Sequence, residues 1–211
     1  LRTVLGPGDT LACPDPTYSL YPVLAEMNEV KYAPVPWGKD YALPIDELCK
    51  TNPKAIFFAN PNAPTGHSVP FAVIRDLAKS YKGLLLIDEA YADFSGENCI
   101  DLVWEFPNVV ISRTLSKAYS LAGLRFGYAI AHAQTIEQMM KVKDSYNCDV
   151  IAIKAATAAI MDQDYARQNW HIICIERDRL TNELTQLGWN VIPSRTNFVF
   201  AQPPKPEMAR Q

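Results

Sequence analysis

Three apolar runs in this sequence end in side chains able to do chemistry. After Ala55–Ala59 (AIFFA) comes Asn60-Pro61-Asn62-Ala63-Pro64-Thr65-Gly66, and after Leu84-Leu85-Leu86-Ile87 comes Asp88-Glu89-Ala90-Tyr91. After Val109-Val110-Ile111-Ser112 come Arg113-Thr114-Leu115-Ser116-Lys117 and then Ala122-Gly123-Leu124-Arg125-Phe126-Gly127. Together they offer a carboxylate, a phenol, a carboxamide, hydroxyls, an amine and a guanidinium. That inventory suits a phosphorylated, cationic heteroaromatic group. Asp88 could keep a ring nitrogen protonated by charge pairing. Thr114, Ser116 and Arg125 could clamp a phosphate, with the guanidinium giving a charge-assisted fork. Lys117 could condense with an aldehyde, its amine activated by burial and neighbouring cations. Tyr91 and Asn62 could hydrogen-bond a ring oxygen.

The elements that must carry these groups follow from the hydrophobic pattern. Strands are expected over residues 9–13, 31–35, 55–59, 84–88, 109–112 and 126–131. Helices are expected between them, over 18–28, 44–50 and 71–81. Phe71, Ile74, Leu77 and Ala78 share one helical face, and Gly83 reads as the stop of that helix. Strands apolar on both faces and separated by helices indicate a three-layer α/β/α fold around a mostly parallel sheet. Ligands bind beyond the carboxyl ends of such strands, where the polar runs sit. From residue 132 onward the pattern turns helical: 136–143, then 149–161 capped by Asp149, then 164–187 ended by Gly188. Short strands at 189–192 and 197–201 and a helix start at 207–211 read as the beginning of a small α+β domain. The expected division is residues 1–163 for part of a large domain and 164–211 for a connecting helix and the start of a second.

Composition narrows the classes. The chain has 211 residues, 48% hydrophobic and 20% charged, which argues against disorder. A formal net charge of -3 supplies no basic excess for nucleic acid or anionic membranes. Apolar runs are strand-sized, so no membrane span is expected. Five widely spaced cysteines without C-x-x-C argue against a disulfide framework or a cysteine zinc site, and no metal is expected. His67, His132 and His171 read as surface or half-buried, and a reduced, cytoplasmic setting is expected. LLLIDEA also fits a nucleotide-hydrolase strand, but the phosphate loop G-x-x-x-x-G-K-[ST] is missing. Glu89 reads as a structural ion-pair partner, and Arg113 as either an ion-pair or a site residue.

The run S-R-T-L-S-K-A-Y-S-L-A-G-L-R-F-G (residues 112–127) resembles the Schiff-base lysine segment of fold-type I pyridoxal-phosphate aminotransferases. N-P-N-A-P-T-G and D-E-A-Y resemble that family's two other cofactor motifs, in the same order. Pro16-Thr17-Tyr18 and Thr196-Asn197-Phe198-Val199 bring the chain nearest to the histidinol-phosphate aminotransferase branch. The resemblance covers nearly the whole chain. It implies the large-domain fold of pyridoxal-phosphate-dependent transferases with pyridoxal 5'-phosphate as cofactor. Lys117 would link to the cofactor and transfer the proton, Asp88 would pair with the pyridine nitrogen, and Tyr91 would contact the ring oxygen. Ser116 and Arg125, with Thr114, would bind the phosphate, and Tyr18 would stack on the ring. Many relatives place the working Asn directly before the second proline. Here Ala63 stands there, so Asn62 takes the role from one position earlier or the contact is lost. Asn62 and Asn197 are candidate substrate contacts, a turn or strand-edge role being the alternative for Asn197.

The implied reaction transfers an amino group from a small amino donor, histidinol phosphate in that branch, to a 2-oxo acid such as 2-oxoglutarate. The resemblance would place the protein in histidine biosynthesis, and it implies a homodimer. A lyase acting on an amino-acid phosphate shares these motifs. Relatives are considerably longer, so the chain reads as a fragment, and a cofactor-domain piece unable to turn over is a third reading.

Overall fold

The computed structural model describes residues 1–205 and 207. Along the chain run β1 (Thr10–Asp15), α1 (Leu20–Met27), β2 (Lys31–Pro36), α2 (Ile45–Lys50), β3 (Ala55–Ala59) and α3 (Phe71–Ser80). They are followed by β4 (Leu84–Asp88), α4 (Ala92–Ser95), α5 (Leu102–Glu105), β5 (Val109–Thr114) and β6 (Gly127–Ala131). The remainder is α6 (Ala133–Val142), α7 (Val150–Met161), α8 (Gln163–Gln186), β7 (Asn190–Ile192) and β8 (Phe200–Gln202).

Six strands form one sheet in the order β2-β1-β3-β4-β5-β6. All neighbours are parallel except β5 and β6, which run antiparallel. Side chains alternate across a strand, so each strand feeds two cores. Ala12, Ile56, Phe58, Leu85, Ile87, Val109 and Ile111 pack with Leu48 of α2, Ile74 and Leu77 of α3 and Leu102 of α5. On the opposite face Leu11, Cys13, Ala55 and Phe57 meet Tyr21 and Ala25 of α1. Helices on both faces make the expected three layers. All five residues of β3 are buried, as its uninterrupted apolar run requires.

The sequence reading is corrected at several points. β2 and β6 are the sheet's edges and are only partly buried, not buried on both faces. The edge position explains how β2 carries Pro34 and Pro36, residues that cannot donate to a neighbour. Gly83 does not cap α3 in the left-handed region. A Cβ there would lie 2.1 Å from the Tyr81 hydroxyl, so glycine is needed for space. That hydroxyl donates to the Pro53 carbonyl at 2.8 Å. Residues 197–199 are not strand. The Ser194 and Thr196 hydroxyls bond the Phe198 backbone, a local alternative to pairing.

Other signals were read correctly. Asp149 Oδ1 accepts from the Ile151 and Ala152 amides at 2.8 Å and caps α7. Gly188 has φ 81° past the end of α8, where its amide donates to Thr185 and that of Trp189 to Leu184. The helix start expected at 207–211 lies, but for Glu207, outside the described residues. Among the described residues no helix is long and apolar enough to cross a membrane.

Candidate functional site

A cavity of about 330 Å³ opens beyond the carboxyl ends of β3, β4 and β5. Tyr18, Asp88, Tyr91, Thr114, Ser116, Lys117 and Arg125 all line it. The structure therefore brings together seven of the nine side chains expected at the site.

Asp88 is the last residue of β4. Its Oδ2 accepts from the Tyr21 hydroxyl at 3.1 Å and its Oδ1 from the Ala90 amide at 3.1 Å. Desolvation pushes its carboxyl above the ordinary range, against the opposing pull of Tyr21, Ala90, Ser112 and Lys117. A carboxylate so placed gains from any cation brought beside it. Burial and the Asp88 charge in turn raise the Tyr21 phenol well above its ordinary value, so it remains a donor.

Tyr91 precedes the single turn of α4. Its ring has the Lys117 Nζ 5.4 Å from its centroid and meets Phe198 edge-on at 5.3 Å. Lys117 lies on the segment between β5 and β6, which closes on itself where the Leu115 amide donates to the Phe126 carbonyl at 3.2 Å. Within that segment Thr114 Oγ1 and Ser116 Oγ are 2.9 Å apart, and Thr114 Oγ1 also accepts from the Ser116 amide at 3.1 Å. Arg125 takes φ 51°, and its Nη1 donates to the Ala122 carbonyl at 2.9 Å. Gly127 is required because a Cβ would approach the Arg113 carbonyl to 2.9 Å. Tyr18, between β1 and α1, meets the Tyr21 ring edge-on at 5.6 Å.

Two expected residues are elsewhere. Asn62 is fully buried, and it is the half-buried Ala63 that lines the cavity. Both hydrogens of its amide are committed, Nδ2 donating to the Pro16 carbonyl at 3.1 Å and to Thr65 Oγ1 at 2.7 Å. Its Oδ1 is buried without a partner among the described residues. Asn197 faces a different cleft, beside Ile173 and Arg177 of α8.

Tyr21 escaped sequence reasoning, and His67 and Arg113 are refined by the structure. Tyr21 follows Tyr18 by three residues, a helical spacing that puts both rings at one end of α1. His67 is buried, not at the surface: its Nδ1 lies 2.6 Å from Thr65 Oγ1 and its ring stacks on Tyr41 at 4.8 Å. Burial lowers its pKa to about 4. Arg113 is both of the things the sequence left open. It lines the cavity and pairs with buried Glu89, Nη2 to Oε2, at 2.7 Å.

The mostly parallel α/β sheet thus carries an amine, a carboxylate, a phenol and a guanidinium around one strand-end crevice. The chain belongs to the aminotransferase class I and II family, whose profile matches residues 1–211. It is 42% identical over 205 residues to "Histidinol-phosphate aminotransferase 1" of Trichormus variabilis, covering 97% of this chain and 59% of that relative. It is 45% identical over 204 residues to the histidinol-phosphate aminotransferase of Syntrophotalea carbinolica, covering 97% and 58%. Among solved structures it resembles histidinol-phosphate aminotransferase from Sinorhizobium meliloti in complex with pyridoxal-5'-phosphate. The TM-score is 0.90 at 28% identity, over 97% of this chain and 58% of that one. The chain thus spans somewhat under three fifths of the relatives it matches.

Proposed function

We propose that this chain is the cofactor-binding part of a pyridoxal 5'-phosphate-dependent aminotransferase. The whole protein would convert histidinol phosphate and 2-oxoglutarate to imidazole-acetol phosphate and glutamate. The observation that carries this is the donor set of the cavity: one carboxylate at the end of β4, one amine beside a phenol, and hydroxyls with a guanidinium on one closed segment. A group with a protonated ring nitrogen, an aldehyde, a ring hydroxyl and a phosphate matches those four chemistries.

Asp88 holds the ring nitrogen protonated, and Tyr21 fixes the carboxylate from behind. Lys117 would hold the cofactor through Nζ and would serve as the amine that moves the proton at the substrate α-carbon. Tyr91 donates to the ring oxygen. Ser116, Thr114 and Arg125 hold the phosphate, and Tyr18 covers the ring face. Asn62 acts indirectly, by fixing the loop whose Ala63 forms the wall. Pyridoxal phosphate, when bound, supplies the aldehyde and the ring that draws off the charge left on the α-carbon. The substrate preference rests on the relatives at 42% and 45% identity.

Residues 1–163 would belong to the large domain and 164–211 to the linking helix and the start of a second. Apolar side chains exposed on α7, among them Ile151 and Met161, support a homodimer. The absence of a membrane-crossing helix among the described residues is compatible with a cytoplasmic enzyme.

The test is Lys117→Ala in the full-length protein. The long-wavelength absorbance of bound pyridoxal phosphate should vanish, and turnover of histidinol phosphate should fall about a thousandfold or more. An unchanged spectrum would overturn the assignment.

A further inference from the structure

Arg113 sits on β5 with its side chain almost fully buried at the cavity wall, 10% exposed. Its guanidinium reaches two carboxylates on the adjoining turn. Nε and Nη2 both donate to Glu89 Oε2, at 2.8 and 2.7 Å, and Nη1 donates to Asp93 Oδ1 at 3.2 Å. The register places Asp88 opposite Ser112, so Glu89 and Arg113 are the next residues along the same pair of strands. Glu89 is wholly buried, and its second oxygen accepts from the Cys99 amide.

These two carboxylates bracket the site residues. Glu89 follows Asp88 directly, and Asp93 comes two positions after Tyr91. Between them the turn is held by the Ala92 amide on the Glu89 carbonyl at 3.2 Å, the Phe94 amide on the Tyr91 carbonyl at 3.1 Å and the burial of Ala92 and Phe94, and the Arg113 pairs are its charged links to β5. α4 is a single turn whose entry residue makes no side-chain cap, and a helix that short has no stability of its own. The Tyr91 ring meets Phe198 edge-on and has the Lys117 amine beside it. Two arms of one guanidinium, fixed to a central strand, therefore set where the turn lies. The pairing also neutralises Arg113 at the cavity wall, which leaves Arg125 as the guanidinium free to meet an anion.

We propose that Arg113 is a positioning residue: by bridging Glu89 and Asp93 it fixes Asp88 and Tyr91 relative to Lys117. The proposal rests on the reading of the cavity as a pyridoxal phosphate site.

The experiment uses the full-length protein and the visible circular dichroism of added pyridoxal 5'-phosphate. That signal reports a cofactor held in one asymmetric geometry. Arg113→Gln should lose about half or more of the band at saturating cofactor and bind the cofactor about tenfold more weakly, as expected when an outer partner of a ligand-holding group is removed. Arg113→Lys, which can reach one carboxylate but not both, should recover part of the band. Asp93→Asn removes only the arm next to Tyr91, keeps the buried Glu89 pair, and should give a smaller loss. Should Arg113→Gln fail to fold, Asp93→Asn decides alone. A full band and unchanged affinity in the folded variants would overturn the proposal. The underlying reading fails separately, if wild type shows no band or if Lys117→Ala leaves it intact.

Discussion

The loops that follow β3 and β4 are neighbours in the sheet, and both are rich in polar side chains, yet they do opposite things with them. After β3, Asn60, Asn62, Thr65 and His67 are all buried and bonded mostly to one another and to nearby backbone. After β4, Asp88 and Tyr91 line an open cavity, and the charged pair that supports them, Glu89 and Arg113, lies alongside. The first loop is a wall, and the second is a working surface. Residue type at a strand end does not separate the two. What separates them is burial: the β3 loop turns its polar side chains inward, and the β4 loop turns Asp88 and Tyr91 to the cavity.

The largest effect that would sharpen this contrast belongs to Asp88. Asp88→Asn keeps the shape but removes the charge, and turnover by the full-length protein should fall about ten-thousandfold, equivalent to about 5 kcal/mol. Near-normal turnover would erase the contrast. Next is Glu89→Ala, which breaks the closer of the two buried pairs of Arg113 and leaves its charge, among the carboxylates of the described residues, with Asp93 alone at 3.2 Å. It should cost about 3–5 kcal/mol of stability, measured by urea unfolding. On the β3 side, His67 has a pKa of about 4 when folded against 6.5 otherwise. Between these values the unfolded chain binds a proton that the folded chain does not. Its contribution is therefore complete above about pH 6.5 and is lost as pH falls to about 4, amounting to about 3 kcal/mol. His67→Gln should remove that part of the pH dependence, read from unfolding free energies between pH 7 and 4. The smallest effect is Asn62→Ala. It should lower stability by about 1–2 kcal/mol and leave the cofactor absorbance in place. A loss of cofactor binding as large as that of Asp88→Asn would make the two loops equivalent after all.

Much of this architecture was legible in the residues. β3 and β4 were bounded correctly because both are continuous apolar runs that stop at polar residues. Asp149 and Gly188 marked helix ends because the cap chemistry is local. Lys117, Asp88, Tyr91 and Arg125 were expected at one crevice from their places after strands, and all four line the cavity. What stayed hidden depended on three-dimensional register. Nothing local says that Tyr21 reaches Asp88, 67 positions away, or that Arg113 spans two carboxylates. Asn62 was misplaced because its sequence shows a carboxamide but not that Pro16 and Thr65 take both amide hydrogens. Gly83 looked like a helix stop because the approach of the Tyr81 ring is set by folding, not by spacing.

The antiparallel step between β5 and β6 has a geometric consequence. In the parallel part of the sheet each strand delivers the chain to the cavity once, and the return path lies on a face of the sheet. At β5 and β6 the chain leaves and re-enters at the same rim, with Thr114 opposite Gly127. One loop can thus carry Ser116, Lys117 and Arg125 with both of its roots on a single rung. Bending or twisting the sheet moves those roots together, so the separation of amine and guanidinium is insulated from deformation elsewhere.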